Sequence, residues 1–208
     1  MSMLIKVCGL SDPQSICGIS GLQPSLMGFI FYPPSPRNAC SLSPAIVKSI
    51  PDGIERAGVF VNSCIRQILD TAERYSLTAV QLHGDETPEM CSQLQHSNLK
   101  VIKAIGVNES LDNKHLGEFE GAVDMFVFDT ATAGYGGSGR KFDWTKLKDY
   151  SLSTPFLLSG GIGPEDAEAV HRAAAVLPRM AGVDINSRFE INPGNKSIEL
   201  VKAFMEAM

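Results

Sequence analysis

Short runs rich in Val, Ile, Leu and Phe alternate along the chain with longer stretches in which apolar residues recur at helical spacing. A buried parallel sheet with crossover helices leaves this signature, because its strands are covered on both faces. Eight such units are present, with strands predicted at 4–8, 27–31, 57–61, 79–82, 101–105, 125–128, 156–158 and 181–185. Helix starts are marked more sharply. Asp12-Pro13, Ser43-Pro44, Thr87-Pro88 and Gly163-Pro164 each set a capping residue before a proline, whose fixed φ suits the first helical position and whose missing N–H costs nothing there. Asp143 before Trp144 predicts a sixth helix, and 108–119 holds a weaker fifth. Asn195 is expected to open the last helix, where Ile198, Val201, Ala203 and Phe204 share one face.

Eight units in 208 residues with brief connections favour closure into one (β/α)8 barrel, the TIM barrel of the α/β class, over an open doubly wound sheet. No internal repeat or linker-like change of composition suggests a second domain, so residues 1–208 are expected to form one. The formal charge of −5 is spread without long runs, which argues against nucleic acid or anionic lipid as partner but leaves room for a local anion site. The first apolar run is too short for a signal peptide, and no segment has the ~20 apolar residues of a membrane span. Cys8, Cys17, Cys40, Cys64 and Cys91 are odd in number and include no C-x-x-C pair, which points away from a disulfide framework or structural zinc and toward the cytoplasm.

Closure would bring all strand ends to one rim, where residues distant in sequence converge. Cys8 closes the first strand ahead of Gly9; an isolated cysteine is most simply a packed small hydrophobe, but a strand end favours chemistry. Pro33, Pro34 and Pro36 stiffen the loop that carries Arg37, whose guanidinium suits a carboxylate or phosphate, or else is merely solvated. His83 ends strand four in QLHGDE, as a scaffold residue or substrate contact without a proton-transfer role, and Asp184 sits on strand eight. Asp129 ends the apolar run of strand six before a glycine-rich stretch, either as an acid under a lid or as the cap of a turn. Gly160 and Gly161 after strand seven, with Asn186 and Ser187 after strand eight, occupy the places where barrels commonly bind phosphate.

Over almost its whole length the chain resembles the phosphoribosylanthranilate isomerase family, through KVCGL, GFIFYPPSPR, GVFVN, QLHGDE, FVFDT, GGSGRKFDW, LSGGIGPEDA and GVDINSRFE in the family's order. The resemblance implies an Amadori isomerisation of N-(5-phosphoribosyl)anthranilate, a phosphorylated small-molecule substrate, with neither metal nor organic cofactor. It also implies Cys8 as general base, Asp129 as general acid and Arg37 as the ligand of the anthranilate carboxylate. One departure stands out, since the family usually has two serines and a glycine where this chain has Asn186, Ser187 and Arg188. A histidine-pathway Amadori isomerase would call for aspartate in place of Cys8. A metal-dependent epimerase would need more His and acidic ligands than His83, Asp129 and Asp184. An idle phosphate-binding barrel fits poorly with the presence of both Cys8 and Asp129. Monomer and homodimer are equally open.

Overall fold

The computed structural model describes residues 3–107, 111–130 and 141–208. Eight parallel strands close in sequence order: β1 (Leu4–Val7), β2 (Leu26–Ile30), β3 (Glu55–Phe60), β4 (Ala79–Leu82), β5 (Lys100–Val107), β6 (Met125–Thr130), β7 (Phe156–Leu158) and β8 (Met180–Ile185), the last pairing with β1. The helices are α1 (Pro13–Gly21), α2 (Pro44–Lys48), α3 (Ile65–Tyr75), α4 (Pro88–Gln95), α5 (Asn113–Gly117), α6 (Ala167–Ala174) and α7 (Ile198–Ala207). None of the described helices is long and apolar enough to cross a membrane.

Period-two alternation divides each strand between two cores. On β6, Met125 and Val127 point into the barrel, while Phe126 and Phe128 point outward to an aromatic cluster with Tyr150 and Phe156. The outer core is sealed by helix faces at the expected spacing, such as Ile68, Ala72 and Tyr75 of α3. Asp12 and Thr87 cap α1 and α4 through their side chains, accepting from the N–H groups of Ser15 and Met90. Ser43 precedes α2 without a side-chain cap bond.

Several boundaries differ from expectation. Trp144–Asp149 is a 3-10 helix, and Gly163-Pro164 opens a 3-10 turn, Pro164–Asp166, with α6 beginning only at Ala167. The fifth helix is reduced to Asn113–Gly117 with Asp112 as cap, and residues 108–110 of its expected span lie outside the described residues. Asn195 does not open the last helix. It pairs with Asn192 in a hairpin of β9 (Glu190–Asn192) and β10 (Asn195–Lys196), turned by Pro193-Gly194, and Ser197 caps α7 by accepting from Leu200 N–H at 3.3 Å. A Pro-Gly turn three residues upstream of a better cap favours this arrangement.

Candidate active site

At the carboxyl ends of the strands the inward-facing positions change from apolar to polar. They bound a cleft whose walls include Cys8, Gln81, His83, Asp129, Ser159 and Asp184. Gly160, Gly161, Asn186 and Ser187 line it from the loops after β7 and β8. The structure therefore brings together all the sequence-predicted site residues except Arg37, which stands at its edge.

Cys8 extends β1 by donating its N–H to the Ile185 carbonyl at 2.9 Å, and its side chain is buried. Gly28 on the neighbouring strand makes room for it, because a Cβ there would lie 2.7 Å from the Cys8 sulfur. Beneath the thiol lies an ion pair, Lys6 Nζ to Asp184 Oδ1 at 3.0 Å, between register partners on β1 and β8. Burial would lower the Lys6 pKa, but Asp184 and Cys8 outweigh it and hold the ammonium above its ordinary value. Burial raises the Cys8 thiol, against the opposing pull of Lys6. A cation is thus present beneath the thiol, but desolvation wins and disfavours the charged form.

Asp129 projects from β6, with β7 and β8 separating it from Cys8 on the shorter way round the ring. Burial lifts its carboxyl to about 6, tempered by the Thr130 N–H that donates to Oδ1 at 2.7 Å. Gly160, at φ +85°, adopts a backbone conformation that disfavours side chains, and a Cβ there would sit 2.6 Å from Thr130 Oγ1 and 3.1 Å from Asp129 Oδ1. One glycine thus lies against each of the two candidate acid–base groups. The stretch 131–140 that follows Asp129, expected as a lid, lies outside the described residues.

His83 is held neutral, its pKa lowered to about 4 by burial and then by Lys103. Lys103 and Glu86 form a second buried pair at 3.1 Å, and Glu86 also accepts the N–H groups of Asn62 and Gly84. The QLHGDE motif is therefore partly architectural. Arg37 is gripped by Glu190, which accepts from Nε and Nη2, and Lys196 reaches both Glu190 Oε1 at 2.7 Å and Asn186 Oδ1 at 2.6 Å. Arg188 leans outward to Glu165 at 2.5 Å, so it adds no charge to the cleft wall. Among the described residues no three or more His, Cys, Asp or Glu side chains gather as metal ligands.

Sequence reasoning passed over Lys6, Gln81, Glu190 and Lys196. A lysine amid the apolar residues of LIKVCGL, in register parity with Cys8, was a usable signal; nothing local marked the other three.

The family model for N-(5'phosphoribosyl)anthranilate (PRA) isomerase matches residues 5–207. The chain belongs to this family. Membership makes it an isomerase of tryptophan biosynthesis. N-(5'-phosphoribosyl)anthranilate isomerase from Parabacteroides distasonis is 45% identical over 206 residues, covering 98% of this chain and 92% of its own. The phosphoribosyl anthranilate isomerase of Thermotoga maritima, a dimeric protein, superposes with a TM-score of 0.82 at 32% identity over 99% of this chain and 98% of its own. A relative solved in complex with reduced 1-(o-carboxyphenylamino)-1-deoxyribulose 5-phosphate gives 0.77 at 30% identity, with coverage of 99% and 98%.

Proposed function

We propose that the chain converts N-(5-phosphoribosyl)anthranilate into 1-(2-carboxyphenylamino)-1-deoxyribulose 5-phosphate with Asp129 as general acid and Cys8 as general base. The observation that carries this reading is a buried carboxyl with a raised pKa and a thiol on separate strands facing one cleft. Asp129 delivers its proton to the ribose ring oxygen as the bond from that oxygen to C1 breaks, and the anthranilate nitrogen lone pair forms an iminium. The cation acidifies C2–H. Cys8, having first released its own proton to water under the pull of Lys6 and the new cation, takes the C2 proton as thiolate, and the resulting enolamine tautomerises to the ketone. One proton leaves Asp129 and one arrives at Cys8, so exchange with water resets the pair and the overall change is an isomerisation.

A carboxyl near pKa 6 keeps part of its proton at neutral pH and still yields it, which suits a general acid. The thiol is stabilised in its charged form by Lys6 and by the iminium created at ring opening, two positive charges against the cost of burial. Arg37 takes the anthranilate carboxylate; His83 after β4 and Asp184 from β8 line the cleft and contact the substrate. The phosphate lies between the loops of Gly160–Gly161 and Asn186–Ser187, where positive φ at both glycines shapes the backbone turn. The reading needs no metal or organic cofactor and no nucleic acid. It places the chain, as one 1–208 domain, in the cytoplasm as a monomer or homodimer.

The test is to supply the substrate and follow loss of its anthranilate fluorescence. Wild type should turn over, while folded Cys8→Ser and Asp129→Asn should each lose roughly 10²–10⁴-fold in kcat, the usual range for removing a proton-transfer group. Near wild-type turnover in both variants would refute the assignment.

A further inference from the structure

We infer that Glu190 is a positioning residue for Arg37, locked in place by Lys196, and that this partly buried triad sets the orientation in which the guanidinium meets the anthranilate carboxylate. The inference rests on the substrate-contact role proposed above for Arg37.

The geometry of the grip is one-sided. Arg37 Nε donates to Glu190 Oε1 at 2.9 Å and Oε2 at 3.1 Å, and Nη2 donates to Oε2 at 2.8 Å. That pairing uses one edge of the planar guanidinium. The two N–H groups of Nη1 and the second of Nη2 lie on the other edges, spaced to receive another carboxylate in the same bidentate manner. A prolyl loop can fix the arginine backbone, but the long side chain keeps its rotamer freedom until a partner such as Glu190 holds it before substrate arrives. Arg37 and Glu190 are 153 residues apart, on the loop after β2 and at the start of β9, so the grip also ties two separate parts of the rim together.

Lys196 makes the arrangement rigid. Its ammonium is fully buried, bonded to Glu190 and to Asn186 Oδ1, and Glu190 is further fixed by the N–H of Gly194 at 3.1 Å. Burial alone would raise the Glu190 carboxyl, but Arg37 and Lys196 outweigh it and keep the group ionised. Burying such charges is costly, and apolar residues of similar volume serve stability as well or better. Orientation is the return on that cost. Two cations share one carboxylate, which leaves one surplus positive charge beside a cleft whose wall includes Asp129 and Asp184. An incoming substrate with a carboxylate and a phosphate supplies the missing negative charge. The triad also abuts the turn after Cys8: a Cβ on Gly9 would lie 2.6 Å from Asn186 Oδ1 and 2.8 Å from the Arg37 Cδ.

The test compares wild type, Arg37→Ala, Glu190→Gln and the double variant. It measures kcat and KM for N-(5-phosphoribosyl)anthranilate, and the inhibition constant of ribose 5-phosphate, which has the phosphate but no carboxylate. Glu190→Gln is expected to raise KM roughly tenfold through misplacement of the guanidinium while leaving the ribose 5-phosphate constant within about twofold. The double variant should be no worse than Arg37→Ala, the sign of two residues acting through one contact. If Glu190→Gln does not fold, Glu190→Gln/Lys196→Met carries the same comparison, because it leaves no ammonium buried without a counter-charge. An unchanged KM in Glu190→Gln beside a raised KM in Arg37→Ala overturns this inference alone. An unchanged KM in Arg37→Ala overturns the carboxylate assignment and the inference with it. Parallel rises in KM and in the ribose 5-phosphate constant also overturn it, because they show general loosening of the rim.

Discussion

The lower and upper halves of the barrel interior are built from the same strands and the same inward parity, yet they are chemically opposite. Below, Leu26, Ala57, Ala79, Ile102, Ala104, Met125, Val127 and Leu157 pack as a closed apolar cluster. Above, two residues further along several of those strands, stand Gly28, Gln81, Asp129 and Ser159, joined by Lys6, Cys8 and Asp184. A strand only a few residues long thus divides its inward face between holding the barrel shut and presenting chemistry. The upper layer tolerates buried charge because the Lys6–Asp184 pair satisfies it, whereas the lower layer has no partners to offer a charge.

If the halves are separable in this way, damage to each should register in different measurements. Leu157→Ala should give the largest change in stability, a loss of about 2–5 kcal/mol in chemical denaturation from the cavity it leaves. Its folded fraction should keep kcat within about twofold. A stable but inactive Leu157→Ala would show that the lower layer is part of the catalytic apparatus.

Asp129→Asn should move the other way in stability while it destroys turnover. The folded carboxyl titrates near 6 against an ordinary 3.8, so its protonated form is favoured by folding. That contribution is complete below about pH 3.8 and is lost as pH rises through 6. Relative to wild type, the asparagine variant should therefore gain about 1–3 kcal/mol between pH 4 and pH 8, read from denaturation curves at the two pH values. A gap that stays constant with pH would mean that Asp129 is not held up by burial. The smallest effect belongs outside both layers. Arg188 pairs with Glu165 on the exposed outer side, so Arg188→Ala should shift stability by no more than about 1 kcal/mol and KM by no more than about twofold.

The pattern of apolar runs and proline-marked starts made the eight strands and most helix origins legible, because burial on both faces of a parallel strand and the geometry of the first helical turn are local demands on sequence. Cys8, Asp129 and the loop glycines could be picked out because each sits at a strand end, and in a closed barrel every strand end is a rim position. Other features were set by contacts that no local pattern encodes. Glu190 closes on Arg37 from across the rim, Lys196 is buried through a hairpin read in sequence as the start of a helix, and Asp184 finds Lys6 only when β8 meets β1. The sequence by itself determined the number and order of the strands, most helix starts and which residues could do chemistry, since these follow from periodicity, capping and side-chain type. Only the tertiary structure decided which charges pair, which thiol and carboxyl lose their water, and hence which way their pKa values move, because desolvation and ion pairing depend on neighbours that barrel closure alone supplies.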